Sequence, residues 1–199
     1  ANLLYRRNGY GVLLDAVYGR FCGFGDPRLL TLLGLLIARG ARLDDITQFH
    51  ESALRVLSNR GRFDAVALLL EAGADASQLQ WTALHQAIAL GNLADMEMAL
   101  TSSADLEGTD FWSRTPLLLA ILSGDIAKVD WLLTRGARRD AVGRCGKPPL
   151  FYAIEGHHEP MLRWLIAQGF PPGLADQFGT PALTFAAESR NSAAVRILL

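Results

Sequence analysis

The segment TPLLLAILSGD, residues 115–125, decides the fold once it is laid against the rest of the chain. TALHQAIALGN begins 33 residues earlier at Thr82, PPLFYAIEGHH 33 residues later at Pro148, and PALTFAAESRN a further 33 on at Pro181. The four align without gaps. One column holds Leu84, Leu117, Leu150 and Leu183, and another holds Ala87, Ala120, Ala153 and Ala186. A fixed period of this size marks stacked units, none of which can bury its apolar face alone.

A second run follows each segment: MALTSSAD from Met98, WLLTRGAR from Trp131, WLIAQGFP from Trp164 and a short ILL at 197–199. Upstream, LLIARGA and LLLEAGA place Gly40 and Gly73 33 residues apart, and SALRVLSNRG from Ser52 fills the first slot before Gly73. The period therefore divides residues 1–199, read as a single domain, into approximate repeats 10–41, 42–74, 75–104, 105–137, 138–170 and 171–199. The first is divergent, with FCGFGDP intervening, and reads as a modified N-terminal cap; the last is truncated.

Each repeat reads as two helices. Thr82 and Thr115 can cap the first, and Pro116 and Pro149 suit its first turn. Alanine in the shared column lets stacked helices approach closely. Gly61, Gly91 and Gly124 are expected to close the turn between helices with positive φ, and Gly40, Gly73, Gly136 and Gly169 to sit just past the second helix. That helix carries the larger apolar stripe: Val66, Leu69 and Leu70; Val129, Leu132 and Leu133; Leu162, Leu165 and Ile166.

These motifs resemble the ankyrin repeat. Its T-P-L-H-x-A signature stands here as TALHQA, TPLLLA, PPLFYA and PALTFA, and its L-L-x-x-G-A ending as LLIARGA, LLLEAGA and LLTRGAR. The resemblance implies an α-solenoid of stacked helix-turn-helix repeats with β-hairpin or loop fingers and no large sheet. The signature histidine survives only as His85, with Leu118, Phe151 and Thr184 in its column, so packing is expected to hold most fingers. Only 9 residues separate Gly73 from Thr82, against 12 from Gly136 to Pro148, which predicts a stubbier finger there. The chain stops inside a helix-two motif where a polar cap is usual, so a longer polypeptide is expected.

Composition narrows the function. The chain is 50% apolar and 20% charged over 199 residues, with mean hydropathy +0.18, which excludes an intrinsically disordered chain. Its 19 basic and 20 acidic residues leave a net charge of −1, without the basic excess that phosphate neutralisation requires, so no nucleic-acid partner is expected. Leu29 to Ala38 is the most apolar run; ten residues of helix span about 15 Å, half a bilayer core, so no membrane insertion is expected. Arg6 and Arg7 precede only the mixed run GVLLDAVYGR, with no cleavage site behind it, although the chain begins at Ala1 without Met. Two cysteines, Cys22 read as buried and Cys145 near a finger tip, point to a reducing, cytoplasmic compartment.

No catalytic motif occurs, so an enzyme is not expected. His157-His158-Glu159 and Asp44-Asp45 are read as turn and loop residues rather than a metal site or paired catalytic carboxylates, and no cofactor or metal is expected. The expected function is a monomeric, non-catalytic module that binds a folded protein, acting as a regulator or immunity-type inhibitor. The alternative is a targeting or scaffolding segment of a larger multidomain enzyme or effector. In ankyrin proteins the concave surface combines fingers with first helices, which singles out Trp81, Phe111, Trp112, Arg114, Arg144, Lys147, Gln177 and Phe178 on the fingers. On the first helices it singles out Ala89, Leu90, Leu122, Ser123, Tyr152, Glu155 and Glu188. Aromatic residues and arginine dominate interface hot spots. Arginine outnumbers lysine by 17 to 2, which favours bidentate pairing with carboxylates.

Overall fold

A computed structural model describes residues 11–19 and 26–199. The expected start of repeat one at residue 10, Cys22, and most of the FCGFGDP insertion lie outside the described residues. Those described form helices in pairs: α1 (Val12–Tyr18) with α2 (Arg28–Ala38), α3 (Ala53–Asn59) with α4 (Phe63–Glu71), and α5 (Ala83–Leu90) with α6 (Leu93–Ala99). α7 (Pro116–Ser123) pairs with α8 (Ile126–Thr134), α9 (Pro149–Glu155) with α10 (Glu159–Ala167), and α11 (Ala182–Glu188) with α12 (Ser192–Leu198). Extended pairing among the described residues is confined to a bridge between Ala175 and Pro181.

The chain falls into two compact units, Ala1–Gln80 and Trp81–Leu199, and the division lies in the short connection between Gly73 and Thr82. In the first unit α1 packs on α2 and α3, and α4 on α2 and α3. In the second, α7 packs on α5 and α9, and α9 on α11, while each second helix lies against the first helix of its own pair. The 33-residue period is thus the step from one layer to the next.

Polar side chains start several of these helices. Ser52, Thr82 and Asp125 accept from the N–H three residues on, and Asn92 and Asn191 do the same for α6 and α12. Thr115 departs from expectation. Its hydroxyl is buried and makes no hydrogen bond, and α7 starts instead on Pro116, whose fixed φ suits the first turn. At the far end of the helix pairs, Gly40, Gly73, Gly136 and Gly169 all have φ between +74° and +97°, as the pattern predicts.

The turn between helices is less uniform. Gly61 and Gly124 have positive φ, but Gly91 is extended, at φ −110° and ψ −159°, which corrects its expected role. Asn92 caps α6 immediately after it, and a Cβ at Gly91 would fall 2.5 Å from Asp95 Oδ2 and 3.0 Å from the Ala87 carbonyl, so glycine there leaves room for the Asp95 carboxylate. His157 and Arg190 take positive φ in the same column without glycine.

Adjacent layers are joined by polar groups as well as apolar ones. Lys128 Nζ donates to the carbonyls of Ile88 and Gly91 at 2.7 and 2.8 Å, His158 Nε2 to that of Leu122 at 3.1 Å, and Asn191 Nδ2 to that of Ile154 at 3.0 Å. Each reaches back to the C-terminal end of the preceding first helix, where carbonyls have no partner within their own helix. His158, part of the histidine pair weighed as a metal ligand, is therefore engaged between layers.

The leucine column shows how stacking sets burial. Leu84, Leu117 and Leu150 are at most 2% exposed, whereas Leu183 in the last layer is 37% exposed. Leu117→Ala is expected to cost about 2–5 kcal/mol and Leu183→Ala less than about 1.5 kcal/mol, because a half-covered site loses fewer contacts. Denaturant midpoints of the two variants check the order; equal losses would contradict the layering.

Candidate functional site

The fingers of the second unit are built on one repeated turn. The N–H of Asp110, Gly143 and Asp176 donates to the carbonyl four residues on, Arg114, Lys147 and Thr180, at 3.0–3.1 Å. The N–H of Ser113, Gly146 and Gly179 closes the same turns at 2.9–3.0 Å, each from positive φ. In the Asp110 and Asp176 fingers this is a type I turn followed by a left-handed residue, a hairpin connection that tolerates a large side chain just before its glycine-like position, whereas in the Gly143 finger Cys145 is itself left-handed, at φ +63°. Trp112, Cys145 and Phe178 occupy that place in successive fingers.

Asp110 shows why the first of these turns is rigid. Its Oδ1 accepts from the N–H of Trp112 and Arg114 at 2.9 Å, and its Oδ2 accepts from Arg114 Nε at 2.9 Å and Nη2 at 2.5 Å. Both side chains of the pair are fully buried. His85 links this finger to α5: its Nδ1 lies 2.8 Å from Thr82 Oγ1, and its Nε2 donates to the Arg114 carbonyl at 2.9 Å. The one surviving signature histidine therefore ties its own helix start to the next finger. Neighbouring fingers are joined at the tips, where Arg144 N–H donates to the Trp112 carbonyl and Gln177 N–H to that of Cys145.

These contacts sort the expected binding residues. Phe178 is 72% exposed, and Arg144, Gln177 and Glu188 are also exposed. Trp112 is half-buried, edge-on to Phe111 at 5.2 Å and beneath the Arg144 guanidinium at 5.1 Å. Trp81, Ala89 and Phe111 are half-buried, and Leu90 is 38% exposed. Ser123 is half-buried, its hydroxyl donating to the Ala120 carbonyl. Lys147 is paired with Glu155 and lies over the Phe185 ring at 5.2 Å.

Three residues do not belong to an open surface. Arg114 is fully buried with Asp110, Leu122 is 1% exposed, and Tyr152 is 3% exposed, its hydroxyl against the Gly143 backbone, where a Cβ would fall 1.9 Å away. Burial pushes the Tyr152 phenol above its ordinary range. The expectation that they meet a partner is corrected: the layers themselves cover them. Conversely, Val142 is 55% exposed beside Arg144 and was not singled out; its place next to the turn column was the available signal.

The arginine excess is also accounted for differently. Arg28–Asp26, Arg62–Asp64, Arg114–Asp110 and Arg138–Asp140 are all paired within the chain, with donors from both Nε and Nη2. Much of the bidentate chemistry expected at an interface thus serves local turns.

A family model described as ankyrin repeats (3 copies) matches residues 57–141 and 117–199. The chain belongs to the ankyrin-repeat family. Among solved structures it is similar to an ankyrin repeat domain from Acinetobacter baumannii AYE, with 26% sequence identity and a TM-score of 0.52, over 85% of this chain and 90% of that one. No curated protein matches it. Ankyrin repeats are generic protein–protein interaction modules, and the fold is typically non-catalytic. Among the described residues no helix is long and apolar enough to cross a membrane.

Two predictions arise from the ankyrin finger and its histidine. Burial depresses the pKa of His85 although the Arg114 carbonyl opposes it, and burial also lowers His157 and His158. The neutral rings are favoured in the folded state, so this contribution is complete above the unfolded value near 6.5 and is lost as pH falls through the lower folded values. The melting temperature is expected to drop between pH 7.5 and 5.5, and His85→Gln to shrink that drop; an unchanged drop would contradict the assignment. Thr115→Val, which removes a buried hydroxyl without a partner, is expected to stabilise the fold by about 1 kcal/mol in a denaturant titration.

Proposed function

We propose that the second unit binds a folded protein through its fingers and the open ends of α5, α7, α9 and α11. The observation that carries this reading is the row of side chains at one turn position in successive fingers, above all Phe178. A phenyl ring 72% exposed on a turn held by Asp176 side-chain bonds makes little contribution to the fold. Trp112, Phe111, Arg144 and Val142 extend the row, and aromatic residues with arginine are the usual anchors of interfaces. A module of this kind acts by occupying its partner's surface, the mode of a regulator or inhibitor. It does so as a monomer, in a reducing, cytoplasmic compartment where the free thiol of Cys145 persists.

Capture of the partner from source cells on the immobilised chain, followed by titration of the identified protein, tests the reading. Phe178→Ala and Trp112→Ala are each expected to weaken binding by more than about 1 kcal/mol, while the Phe178 variant keeps its melting temperature. Undiminished binding by both variants would overturn the assignment of the fingers.

A further inference from the structure

The finger row carries one cation whose surroundings specify what it meets; this inference rests on the finger-binding reading and names the chemistry that the fingers recognise. Other cations on or beside the fingers are engaged: Arg114 with Asp110, Lys147 with Glu155, Arg138 with Asp140, and Arg139 with the Gln168 carbonyl and the Phe170 ring. Arg144 is exposed and, among the described residues, has no ion-pair partner. Its backbone is fixed by the hydrogen bond to the Trp112 carbonyl at 3.3 Å, and its guanidinium lies 5.1 Å from the Trp112 ring centre. A guanidinium resting on a ring keeps its N–H fork available, and the contact restricts the side chain before any partner arrives.

Exposed apolar side chains stand on the same finger and on the next. Val142 is 55% exposed two residues before Arg144, and Phe178 lies on the adjoining finger, whose Gln177 N–H is bonded to the Cys145 carbonyl. The N–H groups of Trp112, Arg114, Arg144 and Gln177 are already bonded, which disfavours a backbone nest for a chain-terminal carboxylate. Phosphate groups are read by clusters of arginines, whereas here a single guanidinium is offered. We propose that Arg144, stacked on Trp112, anchors an Asp or Glu side chain on the partner's surface that has an apolar or aromatic neighbour, the neighbour covering Val142 and Phe178.

The test is an NMR titration of the ¹⁵N-labelled full chain, following the Arg144 Nε–H and Trp112 indole N–H signals. The probes are N-acetyl-Phe-Glu-amide, N-acetyl-Phe-Gln-amide, N-acetyl-Gln-Phe with a free carboxylate, and inorganic phosphate. The Glu peptide is expected to shift both signals saturably, with an affinity about five-fold above that of the Gln peptide, the size expected of one exposed ion pair. Arg144→Gln, an exposed substitution, is expected to abolish that preference while leaving the remaining amide spectrum in place. Equal affinity for the Glu and Gln peptides would overturn the proposal. So would an equally strong response to phosphate or to the terminal carboxylate, or a preference that survives in Arg144→Gln. Any of these refutes the chemistry alone, since loss of the finger surface itself is read separately from the Phe178→Ala capture experiment.

Discussion

Every layer of the second unit depends on a neighbour to complete it. A first helix of seven or eight residues cannot bury its apolar side within its own pair, and its last carbonyls have room for donors beyond those of its own turn. Lys128, His158 and Asn191 supply such donors from the next layer, and the alanine column allows the approach that brings them within reach. Apolar stacking provides most of the driving force, while unpaired carbonyls at a closed layer boundary would each carry a desolvation cost. The register of one layer on the next is fixed by meeting both demands at once.

The fingers follow from the same economy of short elements. A five-residue turn has little apolar surface of its own, so it is held by side-chain acceptors and by its neighbour. Asp110 gathers two backbone N–H groups and the Arg114 guanidinium, and His85 fastens the finger to the preceding helix. Asp176 repeats the backbone part of this pattern two fingers on, with Thr180 where Arg114 would be. With the turns secured in this way, the apex side chain Phe178 is released from structural duty, while Trp112 at the corresponding place still packs against Phe111 and Arg144.

Two arginines in consecutive fingers show how different roles arise from similar surroundings. Arg114 lies four residues after Asp110 and folds back onto it, out of solvent. In the next finger the equivalent of Asp110 is Gly143, which has no side chain to offer, and Lys147 turns instead to Glu155. Arg144 is left to rest on Trp112. An ankyrin module with a near-neutral net charge thus presents a local cation resting on a tryptophan ring, a feature that the overall composition does not reveal.

The period, the helix pairs and the glycines that end them were legible in the sequence, because each depends on backbone conformation and on residue type in a short window. The apex positions of the fingers were legible for the same reason. Burial was not. Leu117 and Leu183 share a column yet differ in cover, and Leu122 and Tyr152 lie in positions that face a groove by pattern but are closed over by adjacent layers. Nor could the pattern separate Arg114 from Arg144, or show that Gly91 is needed for room beside Asp95 and not for a positive φ. Local sequence determined which elements form and where they turn; only the packing of one layer on another decided which side chains remain for a partner, because accessibility is a property of neighbours in space.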